Sequence, residues 1–388
     1  MISQNEQIEN EEKFEIGNDM KFDEEEPPKP KKEEKKIKVA NKWGDDDEEE
    51  EEIEPMNEGI KTNVIDMTIK EEEKYKIKFK NSDVPGVQAV LGNLSSLKIL
   101  LQNQLGITSL ATLKPILKDI YMSSYSQVRT SPCGGPLELV VKNKEMKNKG
   151  ECSLPHSSIN LSRINNLLDL AYESFDNKDI EQAEDYFRKI ISYSIFFIPL
   201  SKEEEEEIKG VINTCTEYLI MLKLNGLADE KKSDKFLFSQ ICLLITLCQL
   251  AKPIHRFYML KRAKIATKNV KNYISTVGVL YRMLALEKEL KDFEGLEFDK
   301  LLNEYNVLKE RGNEKDYSFN MKELEKKPAR ESINAETLQL FSSTTQKLHC
   351  ALCSASYSEN KSGKLCDVCN LTTIGKEASG LKLIDEFN

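Results

Sequence analysis

Residues Leu161–Ile191 read LSRINNLLDLAYESFDNKDIEQAEDYFRKII, and the fold is decided there. Leu161, Ile164, Leu168, Ala171 and Phe175 recur at spacings of three and four, the period of one helix face. Ile180, Ala183, Phe187 and Ile190 repeat the pattern after the polar turn Asp176-Asn177-Lys178-Asp179. The small Ala171 and Ala183 beside that turn let two antiparallel helices approach closely, which predicts a hairpin of the tetratricopeptide kind.

The helical period continues toward the C-terminus. Ile208, Val211, Cys215, Tyr218 and Leu222 form one stripe, and Leu237, Ile241, Leu244 and Cys248 form the next, with Pro253 expected to end that helix. Phe257, Leu260 and Ala263 follow, then Tyr273, Val277, Leu280 and Leu284. Toward the N-terminus, Val90, Leu94, Leu97, Leu101 and Leu105 predict a helix from Gln88 that stops at Gly106, and Leu110, Leu113, Leu117 and Ile120 predict a shorter one. Residues 84–310 therefore read as a solenoid-like array of helical hairpins, of which only the first pair approximates a known repeat. A β-hairpin interrupts it at Gln127–Val141: Val128 and Thr130 on one arm, a Pro132-Cys133-Gly134-Gly135-Pro136 turn, and Leu137, Leu139 and Val141 alternating on the other. Leu137 and Leu139 are candidate partner-binding residues; a hairpin packed on its own domain is the alternative.

Charged residues make up 31% of the 388-residue chain and aromatics only 7%, because a charged tail is joined to an ordinary globular remainder. Residues 1–80 are dominated by Glu, Lys, Asp and Asn, with an acidic run from Asp45 to Glu52. Such a segment cannot bury enough apolar surface to offset its chain entropy, and a disordered tail is expected. Trp43, the single tryptophan, is either a short linear ligand or an incidental aromatic. Residues 311–348 are polar, without a sustained period, and read as a linker. The net charge of −10 disfavours nucleic acid as a partner. Met1–Asn10 has no basic, apolar leader pattern, and no run of about 20 apolar residues could span a bilayer, so a soluble cytoplasmic protein is expected.

Nine cysteines, an odd number in a long chain, do not suggest a secreted disulfide scaffold. Cys215, Cys242 and Cys248 sit in apolar helical patterns and read as core residues. Cys350-Ala351-Leu352-Cys353 and Cys366-Asp367-Val368-Cys369 are different: two Cys-x-x-Cys pairs twelve residues apart can place four thiolates tetrahedrally around one structural Zn²⁺. Residues 349–388 are accordingly expected to form a zinc-ribbon-like β module, whose loss would spare the helical array. A redox pair or unliganded thiols are the alternatives, although a thioredoxin-like site needs one Cys-x-x-Cys beside a βαβ unit. His349 adjoins the first pair as a passive neighbour, and His255, just after Pro253, reads as a capping or surface residue. Cys133 lacks a base, and the three histidines (His156, His255, His349) fit no catalytic order, so neither an enzyme nor a small-molecule substrate is expected. The fold class is mainly α: a helical-hairpin array with a small β-hairpin, a C-terminal four-cysteine β module and a disordered N-terminal tail.

Four stretches, taken in order, resemble the C-terminal region of the coatomer alpha subunit family. They are Leu97–Ile107; Leu167–Tyr172 with Gln182–Ile191; Lys261–Ala263 with Tyr281–Leu284; and Tyr357–Ser358 through Gly363–Cys366 to Thr373–Lys376 and Gly380–Leu383. The resemblance covers residues 84–388. It implies association with the coatomer epsilon subunit and other coatomer subunits, peripheral assembly on Golgi membranes as part of the COPI coat, and transport between Golgi and endoplasmic reticulum. Full-length family members begin with WD-repeat propellers that recognise dilysine cargo tails, and nothing in this sequence resembles one, so cargo reading does not carry over. Gln339–Gln346 also lacks the Phe- and Cys-containing strand expected in relatives. Zinc rests on spacing and not on the resemblance. The reading from a different class is a zinc-dependent nucleic-acid or ubiquitin-system module, against which stands the lack of a basic-aromatic stripe around the knuckles.

Overall fold

The computed structural model describes residues 79–130, 137–144, 154–291, 293, 295–311, 327–342 and 345–385. The tail expected over 1–80, save its last two residues, lies outside the described residues, as does Trp43. All described residues belong to one unit, Lys61–Asn388. In it α1 (Pro85–Val90), α2 (Leu94–Leu105) and α3 (Lys114–Ser123) precede a two-stranded antiparallel ribbon, β1 (Tyr125–Thr130) and β2 (Leu137–Lys142). Then come α4 (Leu161–Asp176), α5 (Ile180–Ser194), α6 (Lys202–Glu230), α7 (Lys235–Ile245), α8 (Pro253–Asn269), α9 (Tyr273–Ala285) and α10 (Phe298–Lys309), each packed on its neighbours in sequence. A short α11 (Ala329–Ser332) leads to a second antiparallel pair, β3 (Lys347–His349) and β4 (Ser356–Ser358). The architecture is mostly helical with few short strands.

Two turns of identical construction join α4 to α5 and α8 to α9. After α4, Lys178 takes the left-handed conformation at φ 62°, its N–H donates to Phe175 O, and Asp179 N–H donates to Ser174 O. These bonds satisfy the last carbonyls of α4, and Asp179 then caps α5 by accepting from Gln182 N–H at 3.1 Å. After α8, Lys271 (φ 60°) and Asn272 repeat each step, with donations to Lys268 O and Thr267 O and a cap on Ser275 N–H. The second hairpin thus shares the first one's turn, although its sequence resembles it little. Helix α6 begins with Glu203, Glu204 and Glu205, so the acidic cluster at 203–207 lies at the helix terminus where negative charge is favoured.

Outside the four-cysteine segment, the structure differs from the sequence reading at four places. Gly92, at φ 75°, and Asn93 split the first predicted helix into α1 and α2, leaving Leu94 exposed; the predicted stop at Gly106 is present, also left-handed at φ 65°. Pro253 does not end α7 but opens α8, where its missing N–H costs nothing. His255 is neither a cap nor a surface residue. It is 1% exposed, packed among Tyr172, Phe175 and Tyr218, with Nδ1 2.7 Å from Tyr218 Oη and Nε2 2.8 Å from Asp176 Oδ1. Finally, the segment read as a linker packs over 327–342: Ala329, Ile333 and Ala335 are buried, and Arg330 pairs with the fully buried Glu217 of α6 at 3.4 Å. Residues 312–326 lie outside the described residues.

One core runs through α2–α7 into α11 and the four-cysteine segment, from Leu97 and Leu101 through Phe187, Ile190 and Tyr218 to Ile333, Cys353, Tyr357 and Leu383. A second, around Phe257, Leu280, Met283 and Leu301, joins α7–α10. Among the described residues no helix is long and apolar enough to cross a membrane.

The buried histidine gives a testable pH dependence. Burial pulls its pKa down, against the opposing pull of Asp176 and helped by the nearby Lys252 ammonium. An unfolded chain therefore takes this proton first as pH falls: His255 costs nothing well above the ordinary histidine value of about 6.5 and destabilises progressively below it. Between about pH 7.5 and about pH 5.5 the denaturation midpoint should fall more steeply for the wild type than for His255→Gln. Parallel pH profiles would show that His255 is not a source of the dependence.

Candidate functional site

The two Cys-x-x-Cys pairs fold as matching knuckles. In the first, Cys350 N–H donates to Ala355 O (2.9 Å), Ser354 N–H to Cys350 O (3.0 Å) and Cys353 N–H to Cys350 Sγ (3.4 Å). In the second, Cys366 N–H donates to Thr372 O (2.9 Å) and Asn370 N–H to Cys366 O (3.0 Å). The residue after each second cysteine, Ser354 or Asn370, is left-handed at φ 57°, which turns the chain back so that both sulfurs of a pair face the same way. Pairing of β3 with β4 in the register His349↔Ser356 and Leu348↔Tyr357 holds the first knuckle at a strand end, and the Leu365↔Thr373 bridge closes the second.

All four sulfurs, of Cys350, Cys353, Cys366 and Cys369, are buried and lie within 4.8 Å of one another. Cys350 Sγ is 3.8 Å from Cys369 Sγ, and Cys353 Sγ is 3.7 Å from Cys366 Sγ. A tetrahedron with metal–sulfur bonds of about 2.3 Å has edges of roughly 3.8 Å, so the donor set fits one tetrahedral ion. His349 is exposed, its Nδ1 3.1 Å from Ser356 Oγ, and stands outside the cluster.

Hydroxyls complete the surroundings. Tyr357 Oη, fully buried, accepts from Asp367 N–H (3.0 Å) and lies 3.1 Å from Cys366 Sγ, while Thr372 Oγ1 lies 2.7 Å from Cys350 Sγ. Burial pushes the Cys350 and Cys353 thiols well above the usual range. Burial acts on Cys366 in the same direction, but hydrogen bonds from the other three cysteines and Tyr357 outweigh it and hold that thiol well below the usual value. A buried set of this kind becomes fully thiolate only with a cation at its centre.

The helical array supports the knuckles directly. Arg188 Nε of α5 donates to Val368 O at 3.2 Å, and Lys223 Nζ of α6 donates to Asp367 O at 2.8 Å. Beyond the second knuckle, Thr373, Ser379 and Gly380 N–H groups donate to Gly106, Asn103 and Gln104 carbonyls at the end of α2, and Ser82 Oγ donates to Asp385 Oδ2 at 2.8 Å. The sequence shows none of these partners, because helix positions give no sign of which distant carbonyl a Lys or Arg will meet.

Leu137 and Leu139 are carried by β2, opposite Thr130 and Val128, so these four positions share one face of the ribbon. Their side chains, and residues 131–136 of the turn, lie outside the described ones. The ribbon starts at Tyr125, two residues after α3 ends, and its base is held by Asn143 N–H on Ser124 O (2.8 Å) and His156 N–H on Asn143 O (2.7 Å). Val140, on the other face, is 62% exposed.

A family model described as the C-terminus of the coatomer (COPI) alpha subunit matches residues 2–387. Coatomer subunit alpha-1 of Oryza sativa subsp. japonica is 23% identical over 304 residues, covering 78% of this chain and 24% of that protein. Coatomer subunit alpha of Dictyostelium discoideum is 22% identical over 312 residues, covering 79% and 24%. Coatomer subunit alpha of Saccharomyces cerevisiae is 24% identical over 207 residues, covering 53% and 17%. The chain spans about a quarter of the length of the first two of these relatives. With its helical array and four-cysteine knuckles both inside the matched range, the chain belongs to the family defined by the C-terminus of the coatomer (COPI) alpha subunit.

Proposed function

We propose that this chain is a structural component of the COPI vesicle coat, a helical scaffold that binds the coatomer epsilon subunit and further coat subunits and performs no catalysis. Through that assembly it would act at Golgi membranes in transport between Golgi and endoplasmic reticulum. The observation that carries the reading is the family match over residues 2–387. The four cysteines, in this reading, hold one structural Zn²⁺ in a zinc-ribbon-like module with no open coordination position, and the ion contributes to folding alone.

The ribbon is the proposed contact with the epsilon subunit. A two-stranded hairpin is marginal by itself, neither of its edges is paired to a further strand among the described residues, and one face carries the positions Val128, Thr130, Leu137 and Leu139. A partner that covers that face gains apolar burial and backbone hydrogen bonds together. Binding energy concentrates in a few anchors, so replacing Leu137 and Leu139 with Asp should weaken epsilon binding about tenfold or more while the circular dichroism spectrum is unchanged. Unchanged affinity would remove the ribbon from the interface, and a collapsed spectrum would make those leucines core residues. Recovery of RNA or ubiquitin machinery in place of coat subunits from a pull-down would favour the nucleic-acid or ubiquitin-system reading.

A further inference from the structure

We propose that Lys223 and Arg188 form the cationic outer shell of the four-cysteine centre, so that the helical array completes the centre and its own two knuckles do not suffice. The inference rests on the reading of Cys350, Cys353, Cys366 and Cys369 as ligands of one metal ion.

Four thiolates around a divalent ion carry a net charge of roughly −2, and a buried anion of that size needs opposing charge or dipoles close by. Lys361, Arg188 and Lys223 surround the second knuckle. Lys361 is balanced by Asp367 at 2.7 Å and Glu336 at 3.4 Å. Arg188 is paired with Glu184 at 3.0 Å within α5 while its Nε reaches Val368 O. Lys223 is the one without an ion pair: half-buried, it donates to the Asp367 carbonyl, while the two carboxylates whose charge reaches it, Asp367 and Glu184, are paired with Lys361 and Arg188. Asp367 and Val368 are the two residues between the ligands Cys366 and Cys369, so both cations address the peptide units of the knuckle itself. They come from 144 and 180 residues away in sequence, on two different helices. An ammonium placed in a half-buried position beside carboxylates that already serve other cations is costly, and an anionic thiolate–metal centre beside it is the further charge that offsets the cost.

The test uses the full chain loaded with Zn²⁺, and the metal affinity is read by competition with a chromophoric chelator. Lys223→Met, which keeps the apolar stem, should weaken zinc binding about 10–100-fold, the usual effect of removing an outer-shell partner. Arg188→Gln should weaken it by less, and Lys223→Arg should retain wild-type affinity. Comparison among the zinc-loaded chains separates packing from charge: an outer-shell role lowers the melting temperature of Lys223→Met and of Lys223→Gln alike and leaves Lys223→Arg like the wild type. Equal losses in Lys223→Met and Lys223→Arg, or wild-type zinc affinity in Lys223→Met, would overturn the proposal. A wild-type chain that holds no zinc would overturn the metal reading as well, a result distinct from either.

Discussion

Cys366→Ser is expected to abolish the proposed zinc binding and to destabilise far more than residues 349–388. The sulfurs belong to the same core as Leu97, Leu101, Phe187 and Tyr218, and the chain after the second knuckle is bonded along the end of α2. The autonomous module expected from the sequence is therefore replaced by one continuous unit. A structural four-cysteine ion contributes apparent free energies on the order of 10 kcal/mol, comparable with the whole stability of a typical domain, about 5–15 kcal/mol. Metal content should drop from about one ion per chain to near zero. In hydrogen exchange, protection should be lost at Leu97–Leu105 as well as at the knuckles. Undiminished protection of α2 in a metal-free chain would show that the array stands without the centre.

The second large effect is expected at Arg330. Its guanidinium, mostly buried, faces Glu217, whose side chain is wholly inaccessible and also accepts from Leu250 N–H at 2.8 Å. Burial already raises the Glu217 pKa, and backbone donors and Arg330 hold it down. Arg330→Met leaves a carboxylate buried without its counter-charge, a change worth about 3–5 kcal/mol. Because the variant's Glu217 pKa moves further up, the deficit should be largest near neutral pH and shrink as the carboxyl protonates in acid. Adding Glu217→Gln should recover much of the loss, since two neutral groups of similar shape replace a broken pair. Additive losses in the double variant would mean that the two residues do not act together.

This ion pair also shows why part of the fold is hidden in the sequence. Residues 327–342 enter the core with Ala329, Ile333 and Ala335, too few apolar residues to show a period, and the rest of their attachment is an ion pair whose partner lies 113 residues earlier. By contrast, α4 and α5 are legible because period, turn and caps agree locally: Asn160 and Asp179 cap the helices that the apolar stripes predict. Pro253 satisfies a helix end or a helix start equally well in sequence, and the structure places it at the start. The burial of His255 is equally hidden, since its partners Asp176 and Tyr218 come from other helices. The four cysteines are legible from spacing alone, whereas Tyr357, Thr372, Lys223 and Arg188 around them depend on tertiary contacts that no local pattern announces.

The central claim, that this chain is a coat scaffold, is tested most directly by titrating the purified full chain with purified coatomer epsilon subunit in a calorimeter. A standard interface buries about 1,600 Å² and supports affinities from micromolar to far tighter. The account predicts a saturable one-to-one complex that also co-elutes in gel filtration. No heat of binding and no co-elution at concentrations of tens of micromolar, with a folded chain and a folded partner, would contradict it.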